Sequence, residues 1–364
     1  MNQPVNNAGT ADASAGAGIG AETPEIAALR SARRARMLRR VGVGIALAIL
    51  ACALYAASLL IGETWYSPGE VMRVILGQTV PGASYTVGEL RLPRATLGLV
   101  AGAAFGAAGV IFQTMLRNQL ASPDIIGISS GASAAGVTAI VVLQYSQTMV
   151  SLVALVGALG TAALIYLLSI KGGFAGTRLI LIGIGVAAML NSVVSYVLSK
   201  AAAWDLVTAT RWLTGSLNGA TWQRVIPVAV CCAVLLPTIT VFSRQLGLLR
   251  LGDDSAQSLG VTPGRVRVVA ILAAVALVAM ATSACGPIAF VAFMSGPIAS
   301  RLVGPAANLV IPAALVGAAL VLGADLLGQN LLGTRYPVGV ITGVLGAPYL
   351  IYLLVRSNRS GASL

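Results

Sequence analysis

The chain has 364 residues, of which 57% are apolar and 9% charged, far below the roughly 25% charge of a soluble globular domain. A mean hydropathy of +0.89, with 42 glycines and only 5% aromatic residues, excludes a soluble enzyme and an aromatic-girdled outer-membrane barrel; what remains is an all-α membrane protein packed through small side chains. The net charge of +12 belongs at membrane helix ends and does not call for nucleic acid. His is absent, and Cys52, Cys231, Cys232 and Cys285 show no CxxC spacing, so no metal site, disulfide framework or cofactor is expected.

Residues 1–29 are rich in Ala, Gly, Asn and Pro without periodicity, and Arg30, Arg33, Arg34, Arg36, Arg39 and Arg40 crowd before the first apolar run. The pattern predicts a disordered tail over 1–40 with a basic cytoplasmic anchor. The run from Val41 to Ile61 has spanning length and no compact cleavage site after it, so it reads as a retained helix rather than a signal peptide. It opens a membrane domain over 41–356, followed by a short tail, 357–364.

At roughly 20 apolar residues per span, membrane helices are predicted near 41–62, 92–116, 124–144, 148–170, 178–200, 224–243, 265–284, 288–302, 308–330 and 337–355. The eighth is short, and Gly286, Pro287, Gly296 and Pro297 mark it as broken or re-entrant. Between the first two spans, 63–89 holds a short amphipathic stretch. The segment from Trp204 to Trp222 carries three tryptophans, which suit a helix at the membrane interface. With the N-terminus inside, the ten spans place 16 Lys and Arg residues inside and 7 outside, which predicts a multi-pass protein with both termini cytoplasmic.

Gly98, Gly102 and Gly106 recur every four residues on the second span, and Gly127 and Gly131 repeat the interval on the third. Such faces let helix backbones approach closely, so packing is the default reading. Gln113 and Thr114, beyond this face, either line a pore or bond a neighbouring helix. Between Arg244 and Arg267, Asp253 and Asp254 precede Ala256, Leu259 and Val261 at helical spacing, bounded by Gly252 and Gly260. A loop merely in water has no need of that apolar face; it docks on another protein or folds back on its own bundle.

RLPR at 91–94, FQTMLRNQLASPDIIGISSGAS at 112–133, RWLTGSL at 211–217, LGDDSAQSLGV at 251–261, GPIAFVA at 286–292 and YPVGVITGVLGAP at 336–348 follow one another along the chain. In these blocks the sequence resembles the iron-siderophore and cobalamin permeases of bacterial ABC importers. GPIAFVA without a following His is closest to the permeases for catecholate siderophores. The resemblance implies a ten-helix subunit of the bacterial cytoplasmic membrane that imports a ferric siderophore. Its implied partners are a second permease subunit, identical or related, two cytoplasmic ATP-binding subunits and an extracytoplasmic substrate-binding protein. It implies that Leu251, Gly252, Asp253, Asp254, Ala256, Leu259, Gly260 and Val261 couple to the ATPase. By the same resemblance Arg117, Asn118 and Leu120 lie in a cytoplasmic gate, and Arg91, Arg94 and Arg335 receive the binding protein.

The chain has no GxxxxGK[ST] loop, so ATP hydrolysis falls to partner subunits. No nucleophile and base assemble into a catalytic set, and no enzyme activity is expected. The rival from another class is an ion-coupled secondary transporter, which needs an ionisable residue inside a span. Asp325 is the acidic residue placed for that role; a helix-packing partner is the equal alternative.

Overall fold

The computed structural model describes residues 24–124, 126–169, 176–304, 308–331 and 333–359. The chain divides into two compact units, 1–42 and 43–364. Of the expected tails, 1–23 and 360–364 lie outside the described residues.

The first unit departs from expectation, because α1 (Pro24–Leu60) begins within the stretch read as a disordered tail. Its segment EIAALRSARRARMLRR is built from Ala, Leu, Arg and Met, all strong helix formers. The arginines read as a basic anchor lie on this helix.

The second unit is all-α among the described residues. Its helices are α2 (Pro68–Ile75), α3 (Leu92–Met115), α4 (Ile128–Val141), α5 (Gln147–Ser169), α6 (Gly176–Ser199), α7 (Ala203–Leu213), α8 (Trp222–Leu248), α9 (Asp253–Ser258), α10 (Pro263–Cys285), α11 (Val291–Val303), α12 (Val310–Asn330) and α13 (Val338–Arg359). A π-helical stretch, Ser84–Arg91, leads into α3, and a 3-10 turn, Leu249–Leu251, follows α8. Among the described residues eight helices are long and apolar enough to cross a membrane, while α4 and α11 are shorter apolar helices.

Two short helices therefore stand where one was expected. At 14 and 13 residues, α4 and α11 are about 20 Å long, less than the roughly 30 Å hydrocarbon core. The cause lies in the chain before each. Ahead of α4, Pro123 and Gly127 (φ 95°) stop earlier helix formation, and Asp124 accepts hydrogen bonds from the Ser122 and Ser129 hydroxyls. Ahead of α11, Gly286 (φ 74°) and Phe290 (φ 65°) turn the chain. The break predicted for the eighth span sits there, and α11 itself runs unbroken through Pro297. Proline at 297 has no N–H for the Phe293 carbonyl, and Gln113 Nε2 donates to that oxygen at 3.0 Å. A polar side chain of α3 thus completes a helix it does not belong to.

The core is centred on α3, buried over most of its length and packed against α8, α10, α11 and α12. Its glycine face does what small faces do. A methyl group at Gly102 would sit 2.5 Å from the Gly317 carbonyl oxygen, and one at Gly106 would strike the Ala313 carbonyl. The α3 and α12 backbones touch, and no larger side chain fits between them. Gly131 meets Thr161 and Gly157 of α5 in the same way. The tryptophan segment forms α7, whose Trp212 is buried against Gly136 of α4 while Trp204 is exposed.

Candidate functional site

With 24 residues, α3 is about 36 Å long and carries a candidate site at each end. At its start, Pro93 occupies the first turn, where a missing N–H costs nothing. Arg91 and Arg94 flank it and reach different partners. Arg91 donates to the Leu59 (2.9 Å), Leu60 (3.2 Å) and Thr64 (2.7 Å) carbonyls, satisfying orphan groups at the end of α1, and lies over the Tyr66 ring. Arg94 donates from Nε (2.8 Å) and Nη2 (2.7 Å) to both carboxylate oxygens of Asp325 on α12, and from Nη1 to Asn218. Asp325 is 8% exposed in this pair. Arg335 pairs with Glu63 at the surface.

All three arginines expected to receive the binding protein line one cavity of about 640 Å³, together with Glu63, Asp325 and Gln329. They gather in one place, yet each already has a partner within the chain. Asp325, left open between packing and ion coupling, is a packing partner of Arg94.

Nearby, three of the motif blocks meet. Ser216 N donates to Cys285 O at 2.8 Å and Gly339 N to Gly215 O at 3.1 Å, so the 211–217 loop stitches the end of α10 to the start of α13. A methyl group at Gly215 would come 2.5 Å from Pro287 O, and one at Gly339 would strike the Thr214 carbonyl.

The opposite end of α3 holds the expected gate. Arg117 has φ 51°, a left-handed conformation that ends the helix. Its Nε donates to Leu249 O (3.0 Å) and its Nη2 to Asp253 Oδ1 (3.1 Å). Asn118 Oδ1 accepts from Leu120 N at 2.8 Å, and Leu120 packs on Phe293, Met294 and Leu353. Arg250 Nη2 donates to Thr114 Oγ1 at 3.1 Å. Gln113 and Thr114 therefore bond neighbouring segments.

The expected coupling segment begins where Arg117 reaches. Gly252 turns the chain at φ 108°, open only to glycine at low cost, and α9 follows. Asp253 accepts from Arg267 Nη1 (2.8 Å) and Nη2 (2.5 Å) of α10 as well as from Arg117. The Arg267 hydrogen bonds, with the Arg117 charge beside them, hold the Asp253 carboxyl below the usual carboxylate range. Ala256 and Val261 are buried in the chain's own bundle, while Leu251 and Leu259 are 62% and 58% exposed beside exposed Asp254. One apolar pair of the segment thus folds back on the bundle, and the other faces outward.

Sequence reasoning missed Arg267, Arg250, Glu63 and Asn218 as members of these sites. No local spacing marks them, since Arg94 and Asp325 are 231 residues apart and Arg117 and Asp253 are 136 apart.

The FecCD transport family matches residues 48–356. The chain is 39% identical over 320 residues to the ferric enterobactin transport system permease protein of Escherichia coli, covering 85% of this chain and 97% of that one. It is 37% identical over 320 residues to the iron(3+)-hydroxamate import system permease protein of Bacillus subtilis, covering 85% and 95%. A solved structure of a metal-chelate type ABC transporter in an inward-facing conformation superposes with a TM-score of 0.75 at 27% identity, over 86% of this chain and 99% of that one. The matched region includes both ends of α3, the α9 segment and all the helices packed around them, and the chain belongs to the FecCD transport family.

Proposed function

We propose that this chain is the membrane-spanning permease subunit of an ABC importer that carries a ferric siderophore across the bacterial cytoplasmic membrane. It works with a second permease subunit, identical or related, with two cytoplasmic ATP-binding subunits and with an extracytoplasmic substrate-binding protein. Both termini face the cytoplasm, so the Asp253 end lies inside and the Arg94 end outside. The observation that carries the reading is the α9 segment of a FecCD family member: Leu251 and Leu259 point away from the bundle on a segment whose Ala256 and Val261 anchor it. Outward apolar side chains on a short, anchored helix suit the cleft of a partner protein. ATP-driven closure of the partners displaces α9, tilts the helices bonded to it and moves the segment from Arg117 to Leu120. The ion-coupled alternative loses its candidate coupling residue, because Arg94 neutralises Asp325.

Binding-protein docking falls chiefly to Arg335, whose side chain is 60% exposed; Arg91 and Arg94 shape the cavity beneath it. Proteoliposomes holding the complete transporter, supplied with a ferric catecholate siderophore on its binding protein, test the function. Uptake that requires ATP in the ATPase compartment and survives a proton uncoupler is expected. Uptake that the uncoupler abolishes while ATP is present overturns it.

A further inference from the structure

Arg117 bonds the expected gate to the α9 segment. Its backbone is left-handed without being glycine, a conformation that persists only when the surroundings hold it. A backbone cap, Asn118 N to Gln113 O at 3.1 Å, closes the helix there, and from that junction the Arg117 side chain bridges to Leu249 O and Asp253 Oδ1, with the Arg250 to Thr114 bond parallel to it. From the next residue the gate segment continues through the Asn118 turn to Leu120, seated on α11 and α13.

Asp253 is shared unequally. Arg267 grips both carboxylate oxygens with two bonds and is 13% exposed, whereas Arg117 makes one bond to one oxygen and is 45% exposed. A bidentate, shielded pair outlasts a single, half-exposed one. Under load α9 stays with α10, and the Arg117 contact is the one that yields.

We infer that Arg117 is a positioning residue for transport: its guanidinium straps the gate segment to α9, so that displacement of α9 reaches the gate through the making and breaking of the Arg117 to Asp253 bond. The inference rests on the reading of 251–261 as the ATPase contact. A plain helix cap at Arg117 would affect folding alone; a strap also sets how much solute moves per ATP.

The test measures ATP hydrolysed per siderophore imported, in proteoliposomes containing the complete transporter and its binding protein. Arg117→Ala is expected to assemble with the ATPase subunits and to raise that ratio roughly twofold to fivefold, the scale of a partly exposed charge pair. Arg117→Lys, which keeps the charge but offers a single point donor, is expected to fall between Ala and wild type. A wild-type ratio in an assembled Arg117→Ala transporter overturns the strap. So does loss of folded protein in both variants, which would make Arg117 a structural cap. Leu259→Asp separates the two levels of the argument. If it leaves ATPase association unchanged, the contact reading falls and the strap with it. If it releases the ATPase while Arg117→Ala keeps the wild-type ratio, the strap alone falls.

Discussion

Each end of α3 carries an arginine bonded to an aspartate far away in sequence, and the two pairs share the same chemistry in different settings. Asp325 is 8% exposed and takes two bonds from Arg94 alone; Asp253 is 42% exposed and is shared between Arg117 and Arg267. Below the first pair the α3 and α12 backbones are in contact at Gly102 and Gly317, so that end has no slack. Beside the second lie a 3-10 turn, a six-residue helix and a left-handed junction. Breaking a buried pair strands a charge, whereas breaking the Arg117 to Asp253 bond, 45% and 42% exposed, hands Arg117 to water and leaves Asp253 with Arg267. The Arg94 to Asp325 pair fixes α3 against α12, and the Arg117 to Asp253 pair is free to exchange.

The sharpest way to break this comparison is to remove one partner from each pair. Asp325→Ala leaves Arg94 charged and largely buried, and is expected to cost about 3–5 kcal/mol, seen as a large fall in the melting temperature of the purified protein. Arg117→Ala, which leaves Asp253 with Arg267, is expected to cost no more than about 1 kcal/mol. Equal losses for the two would erase the distinction between the ends.

A smaller contrast lies within the α9 segment. Val261→Asp buries a charge in the chain's own bundle and is expected to cost about 2–3 kcal/mol, whereas Leu259→Asp is expected to change stability by less than about 0.5 kcal/mol and still abolish co-purification with the ATPase. Loss of the ATPase from a fully stable Val261→Asp protein would show that both residues face the partner.

At the Arg94 end of α3, Arg335→Glu spares the Arg94 to Asp325 pair and is expected to weaken binding-protein association roughly tenfold at low salt and less at high salt. An unchanged dissociation constant at low salt would remove Arg335 from docking. Reversing Arg94 would confuse docking with folding, because it sets two acids against each other.

The smallest expected effect is on pH. The Asp253 carboxyl is held below its usual value of 3.8, so its contribution is present above that value and is lost only as pH falls through the lower folded value. The ATP to solute ratio is therefore expected to stay flat from about pH 8 to about pH 5. A change within that window would assign the titration to another group.

Much of the architecture was legible because membrane burial is a local property. Apolar runs marked the eight helices of spanning length among the described residues and the two shorter ones, α4 and α11, and the four-residue glycine spacing marked the face of α3 that meets α12. Turn residues were less decisive. The eighth segment was read as broken or re-entrant from Gly286, Pro287, Gly296 and Pro297, and the turn lies ahead of α11, at Gly286 and Phe290, with none at Pro297, while Pro123 and Gly127 shortened the third span without a visible warning. Proline at 297 looked like a helix breaker until Gln113 supplied the missing donor from α3.

The sequence by itself determined an all-α, multi-pass membrane chain, its motif blocks and the segments that hold the candidate sites, since hydrophobic length, helical period and local motifs need no knowledge of the fold. Only the tertiary structure decided which charges meet. Asp325 belongs to Arg94, Arg335 to Glu63, and Asp253 to both Arg117 and Arg267. It also decided that Leu259 faces outward while Val261 faces in. The physical reason is that an ion pair depends on distance in space and on local exposure, and for residues 136 and 231 apart along the chain both are set by how the helices pack.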